Sequence, residues 1–115
     1  MRVNRLLIVG DSPSFDDVAD LVTTGSTCVV ERCASPSDLL LTVANARLTH
    51  FRGDFIDVLD IHDHSSENGM LLGAKGDSLF DVTDGVLVGA ELARNLGAHL
   101  RATAHLRLLG CDVVF

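Results

Sequence analysis

Apolar and polar positions fall in short alternating blocks along this chain, and the blocks predict strands and helices in turn. Arg5 to Val9 (RLLIV) is a continuous apolar run closed by Gly10, the pattern of a buried strand. Ser12 or Ser14 is placed to cap a helix whose apolar positions, Phe15, Val18, Ala19 and Val22, recur at helical spacing until Gly25. Thr27 to Glu31 (TCVVE) is rich in β-branched residues and predicts a second strand. Ser35-Pro36 opens another helix, with Ser as cap and Pro at the first position, and Leu39, Leu40, Val43 and Ala44 as its apolar face. Gly53-Asp54 interrupts the chain before a third strand, Phe55 to Ile61. Met70-Leu71-Leu72 and Ser78-Leu79-Phe80 flank Gly73-Ala74-Lys75-Gly76-Asp77, which predicts a small β-hairpin. Val88, Leu92, Leu96 and Leu100 predict a helix over 86–100, and Leu106 to Leu109 a fourth strand.

Continuous apolar strands alternating with helices define an α/β class. The expected architecture is a three-layer sandwich, with a mostly parallel sheet of about four main strands and one small β-hairpin. The chain has 115 residues, which fits one domain, 1–115. Ligands of such sheets bind beyond the carboxyl ends of the strands. Here those ends carry Gly10-Asp11-Ser12, the run LDIHDHSSENG at 59–69, and Gly110-Cys111-Asp112.

Composition narrows the partners. The net charge is −7 with a single Lys, so a phosphate backbone is repelled and no nucleic acid is expected. Trp and Tyr are absent, which removes the usual base-stacking platforms. No apolar run reaches the length of about 20 residues needed to cross a bilayer, so no membrane association is expected. Cys28, Cys33 and Cys111 make an odd set without C-x-x-C spacing, which fits free thiols in a reducing, cytoplasmic setting. Gly10-Asp11-Ser12-Pro13-Ser14 is not a phosphate-binding loop, and the acidic Asp11, Asp16 and Asp17 oppose an anion there; no cofactor is expected.

Asp60, His62, Asp63 and His64 crowd the end of the third strand, and four chemistries compete for them. The simplest is a solvated strand end. A metal site would use Asp60, His62 and His64, which alternate onto one face of an extended strand, but it needs a further ligand from elsewhere, and no metal is expected. A phosphorylation switch is the third. RLLIVGDSPSF followed by FIDVLDIHDHSSENG is similar to the start and middle of a response-regulator receiver, which implies Asp60 as phospho-acceptor and Asp11 in the acidic site. The second half departs from that family, because the only Lys is Lys75, in the expected hairpin. The fourth is a Cys–His dyad of His64 and Cys111, 47 residues apart, which two parallel strand ends could bring to one edge. Backbone amides around Ser65 and Cys111 would then face the developing oxyanion.

HSSENGMLLG, a helix and then LRLLGCDV resemble the caspase-like superfamily of cysteine peptidases, most of all its bacterial caspase-like and CHAT-type domains. The likeness spans about residues 5–115 in topology and rests on these two patches in motif. It implies His64 as acid/base group, Cys111 as nucleophile, and Ser65 and Gly110 at the oxyanion and substrate. The separation agrees with the spacing of about 50 residues in caspases. Ser65 stands where the family has Gly. Caspase-like peptidases continue past the Cys into strands and helices that form the substrate groove, whereas four residues follow Cys111 here. The resemblance implies a peptide or protein substrate or partner, and either a truncated chain or a minimal domain whose groove a partner or a second copy completes. A catalytically silent interaction domain on the same fold is the remaining reading.

Overall fold

The computed structural model describes residues 3–11, 28–66, 69–73, 77–83 and 86–110. Four strands form a parallel sheet: β1 (Arg5–Gly10), β2 (Val29–Cys33), β3 (Ile56–Asp63) and β8 (Leu100–Gly110), in the spatial order β2-β1-β3-β8. A second, antiparallel sheet contains β4 (Ser65–Ser66), β5 (Gly69–Leu72), β6 (Asp77–Thr83) and β7 (Val86–Val88), in chain order. The described helices are α1 (Pro36–Phe51) and α2 (Ala90–Gly97). The α/β class, the parallel sheet of four strands and the expected hairpin, here β5–β6, all hold. The helix expected from Phe15 to Val22 lies outside the described residues.

The sequence explains the placement of the core. From Leu59 to Asp63 of β3 the burial alternates, with Leu59, Ile61 and Asp63 buried and Asp60 and His62 only partly so; Ile56 and Val58, ahead of them, are also buried. Leu6 and Ile8 of β1, Leu59 and Ile61 of β3, Leu39, Val43 and Ala46 of α1 and Leu96 of α2 form one cluster. Met70, Leu72, Leu79 and Phe80 join it, so the antiparallel sheet closes the same core. Leu7 and Val9 are buried on the opposite face of β1, in a second cluster with Cys28 and Val30 packed against it. The first strand is thus covered on both faces, as its unbroken apolar run requires.

α1 starts at Pro36, whose missing N–H is no loss at a first helical position. Ser35 precedes it in extended backbone, but its hydroxyl donates to the Asp38 carboxylate at 3.0 Å and does not cap the helix. Ala46, rather than Ala44, completes the buried face. Arg52 adopts left-handed backbone at φ 54°, and Gly53 N–H returns to the Arg47 carbonyl at 3.0 Å, ending the helix where the glycine permits the turn.

Three elements differ from expectation. Val86–Val88 is a strand paired with β6, not the first turn of a helix; its β-branched residues complete the antiparallel sheet. Gly89, at φ 92°, then turns the chain into the short α2. β8 begins at Leu100 and runs 11 residues, not from Leu106 to Leu109. Cys33, two residues past the expected end of the second strand at Glu31, is the buried last residue of β2 and donates its thiol to the Ser35 carbonyl at 3.1 Å.

Candidate functional site at the carboxyl edge of the parallel sheet

Strand register decides which of the candidate residues meet. β3 pairs with β1 through His62 opposite Val9, and with β8 through Asp63 opposite Gly110. His64 is the next residue, a one-residue joint between β3 and β4. Its side chain is exposed and both its backbone groups are engaged. The N–H donates to Asp63 Oδ1 at 2.6 Å, and the carbonyl accepts the Leu71 N–H at 2.9 Å. Gly110 is the last residue of β8; Cys111 lies outside the described residues.

Ser65 opens β4 opposite Met70. The Leu71 N–H to His64 carbonyl bond makes Ser65 and Met70 a non-hydrogen-bonded pair of the antiparallel ladder. The Ser65 N–H is therefore turned away from β5, toward the outer side of β4, the first strand in its sheet's order.

Asp63, which the sequence leaves as one of four acidic or imidazole neighbours, is set apart by its surroundings. Period-two alternation puts Asp60 and His62 on one face of β3 and Asp63 on the other. Asp63 is 1% exposed. Beyond the His64 bond, its Oδ2 accepts the Gly73 N–H at 2.7 Å. A side chain at Gly10 would overlap that carboxylate, and one at Gly73, where φ is 94°, would overlap the Ala34 carbonyl. The available sequence signal was Gly10 itself, a glycine directly at the end of a buried strand.

The Asp60 carboxylate is held bidentately by Arg107 of β8, Nε to Oδ1 and Nη2 to Oδ2, both at 2.6 Å. The two residues are register partners on adjacent strands. The carboxylate in turn raises the Arg107 pKa above its ordinary value. Asp60 stands at the level of Leu7, four residues before Asp11. At ~3.3 Å per residue that is about 13 Å along the sheet. Asp11 is exposed and lies 3.6 Å from Arg32 Nε. Asp60 and Asp11 are thus not brought together. Among the described residues no group of three or more His, Cys, Asp or Glu could hold a metal ion.

The two described cysteines contrast with a reactive thiol. Burial pushes the pKa of both Cys28 and Cys33 up, and the Asp60 charge adds to this at Cys28. At the opposite, amino edge of the sheet, Asn4 donates its N–H to Asp57 Oδ2 at 2.9 Å and its side-chain amide to the Phe55 carbonyl at 2.8 Å. Arg101 donates to Asp57 Oδ1 at 2.7 Å and to Asp54 Oδ2 at 3.3 Å. The Asn4 N–H and then Arg101 hold the Asp57 carboxyl below its ordinary pKa; at Asp54 the Phe55 N–H is the larger cause. An open cleft of about 560 Å³, bordered by Asn4, Arg5, His50 and Arg52, lies at this amino edge, away from His64.

No protein-family model, curated protein or solved structure matches the chain. Among the described residues no helix is long and apolar enough to cross a membrane.

Proposed function

We propose that this chain is a caspase-like cysteine peptidase domain, or a degenerate relative of one, with Cys111 and His64 as its dyad. The observation that carries the reading is the pairing of Asp63 with Gly110, because these residues immediately precede His64 and Cys111. Adjacent parallel strands lie about 4.8 Å apart, so the residues that follow such a pair start within side-chain reach of each other. The resemblance of HSSENGMLLG and LRLLGCDV to that superfamily agrees in order, and the antiparallel strands between β3 and α2 stand where its hairpin would.

In this reading the Cys111 thiol gives its proton to the His64 imidazole, and the thiolate attacks the carbonyl carbon of a peptide bond. The tetrahedral oxyanion is met by backbone N–H groups, that of Ser65 on the outer side of β4 and those around Gly110. His64 returns the proton to the leaving amine, and water then hydrolyses the thioester. The substrate is a peptide or protein. The outer edge of β8, last in the sheet order, would be completed by a partner, a second copy or further chain.

Iodoacetamide labelling at neutral pH tests the dyad on the intact chain. Cys111 is expected to react at least tenfold faster than Cys28, and His64→Ala is expected to abolish the difference. Equal, slow labelling of all three cysteines sinks the reading.

A further inference from the structure

Asp63 combines three features that strand geometry alone does not demand. Its carboxyl group is 1% exposed, in a position where period two places core side chains. Burying a carboxylate is unfavourable unless hydrogen bonds replace the lost water, and here backbone N–H groups do so from two different directions. The space it fills is left by Gly10, 53 residues earlier, whose replacement by any larger residue would overlap the carboxylate. Gly73, in left-handed backbone between Asp63 and the Ala34 carbonyl, is the second residue shaped to this group.

The consequence falls on His64. One Asp63 oxygen fixes its N–H and the other fixes Gly73, which follows β5. β5 in turn supplies Leu71, whose N–H holds the His64 carbonyl. The peptide groups on either side of the His64 Cα are therefore clamped from one carboxylate and one strand, while its imidazole remains exposed.

We propose that Asp63 is the positioning residue of the candidate site, setting the direction in which His64 presents its imidazole to the end of β8. The inference rests on the dyad reading for its catalytic meaning. The clamp itself is independent of that reading. Asp63 touches neither substrate nor thiol in this role; it acts through the His64 backbone.

Asp63→Asn separates the two. It keeps size and shape but turns one acceptor into an N–H₂ group facing a backbone N–H donor, so one of the two bonds is lost. In the full chain, labelled for NMR, Asp63→Asn is expected to displace the His64 amide and shift the titration midpoint of its imidazole, leaving the His105 imidazole unmoved. The iodoacetamide rate at Cys111 is expected to fall at least tenfold at neutral pH, with the rate at Cys28 unchanged. A variant with the wild-type His64 midpoint and Cys111 rate overturns the positioning role while leaving the dyad intact. If Cys111 is no faster than Cys28 in the unaltered chain, the dyad fails, and the His64 midpoint alone then reads the clamp. Should the variant not fold, hydrogen exchange in the unaltered chain decides. The His64 and Gly73 amides are expected to exchange at least tenfold slower than unprotected amides, and free exchange at both overturns the clamp.

Discussion

At Gly10 one added carbon is enough to disturb the edge where the candidate site lies. A β-carbon there overlaps Asp63 Oδ2, and the neighbouring carboxylate atoms leave it no way out. Gly10→Ala is expected to destabilise by about 1–3 kcal/mol, the usual range for overpacking. Urea unfolding would show it as a lower midpoint at unchanged slope. Part of this was open to sequence reasoning. Alternation correctly separates Asp60 and His62 from Ile61 and Asp63. The direction of the difference was not open to it, because Asp63 is buried by residues 53 positions before it and 10 after it, and no local pattern carries that information. The clasp on Asp60 was equally hidden from the sequence, because Arg107, which makes it, is 47 residues away.

Elements were legible where one period dominates and misread where two compete. β1 and α1 follow directly from a continuous apolar run and from a Ser-Pro start followed by helical spacing. Over 86–100 the positions Val88, Leu92, Leu96 and Leu100 mimic a single helical face, yet helix occupies only Ala90–Gly97. The residues on either side obey sheet pairing instead: Val86–Val88 against β6, and Leu100 against Ile56. The alternation Ala102, Ala104, Leu106, Leu108 between polar neighbours was the signal that β8 starts early. Gly89 marks the boundary physically. At φ 92° its missing side chain leaves the Leu79 carbonyl 2.5 Å from where a β-carbon would stand. Gly89→Ala is expected to cost about 1–3 kcal/mol through the left-handed backbone and this contact. A lowered midpoint, with the helical circular-dichroism signal of α1 retained until unfolding, would be its signature.

Across the whole molecule the two ends of the parallel sheet are built differently. The carboxyl edge is a buried carboxylate under an exposed His64. The amino edge is a network of Asn4, Asp54, Asp57 and Arg101, beside which Arg47 lies 4.3 Å over the Phe55 ring and 3.3 Å from His99 Nδ1. Burial, and then the Arg47 guanidinium, hold the His99 pKa below its ordinary value. The unfolded chain therefore takes up that proton first. The stability this neutral imidazole contributes is complete above about pH 6.5 and is lost as pH falls toward the folded value. Asp54 and Asp57, also depressed, extend the loss below about pH 3.9. His99→Gln is expected to flatten the dependence of the urea midpoint on pH between 6.5 and 5, and an unchanged slope would exclude His99 as its source. None of these network residues stood out in the sequence, since each is an ordinary surface type whose hydrogen-bond partners come from distant parts of the chain.

The order β2-β1-β3-β8 also bears on how fast the chain finds its structure. Leu6 pairs with Val29, 23 residues on, and with Leu59, 53 residues on; Leu59 waits for Leu106, a further 47. Every ladder of the parallel sheet thus closes a long loop before it gains a neighbour, which places folding among the slower small domains, in the range of milliseconds to seconds. On a ribosome β1 emerges first, yet it becomes an interior strand only after β3 has followed it out.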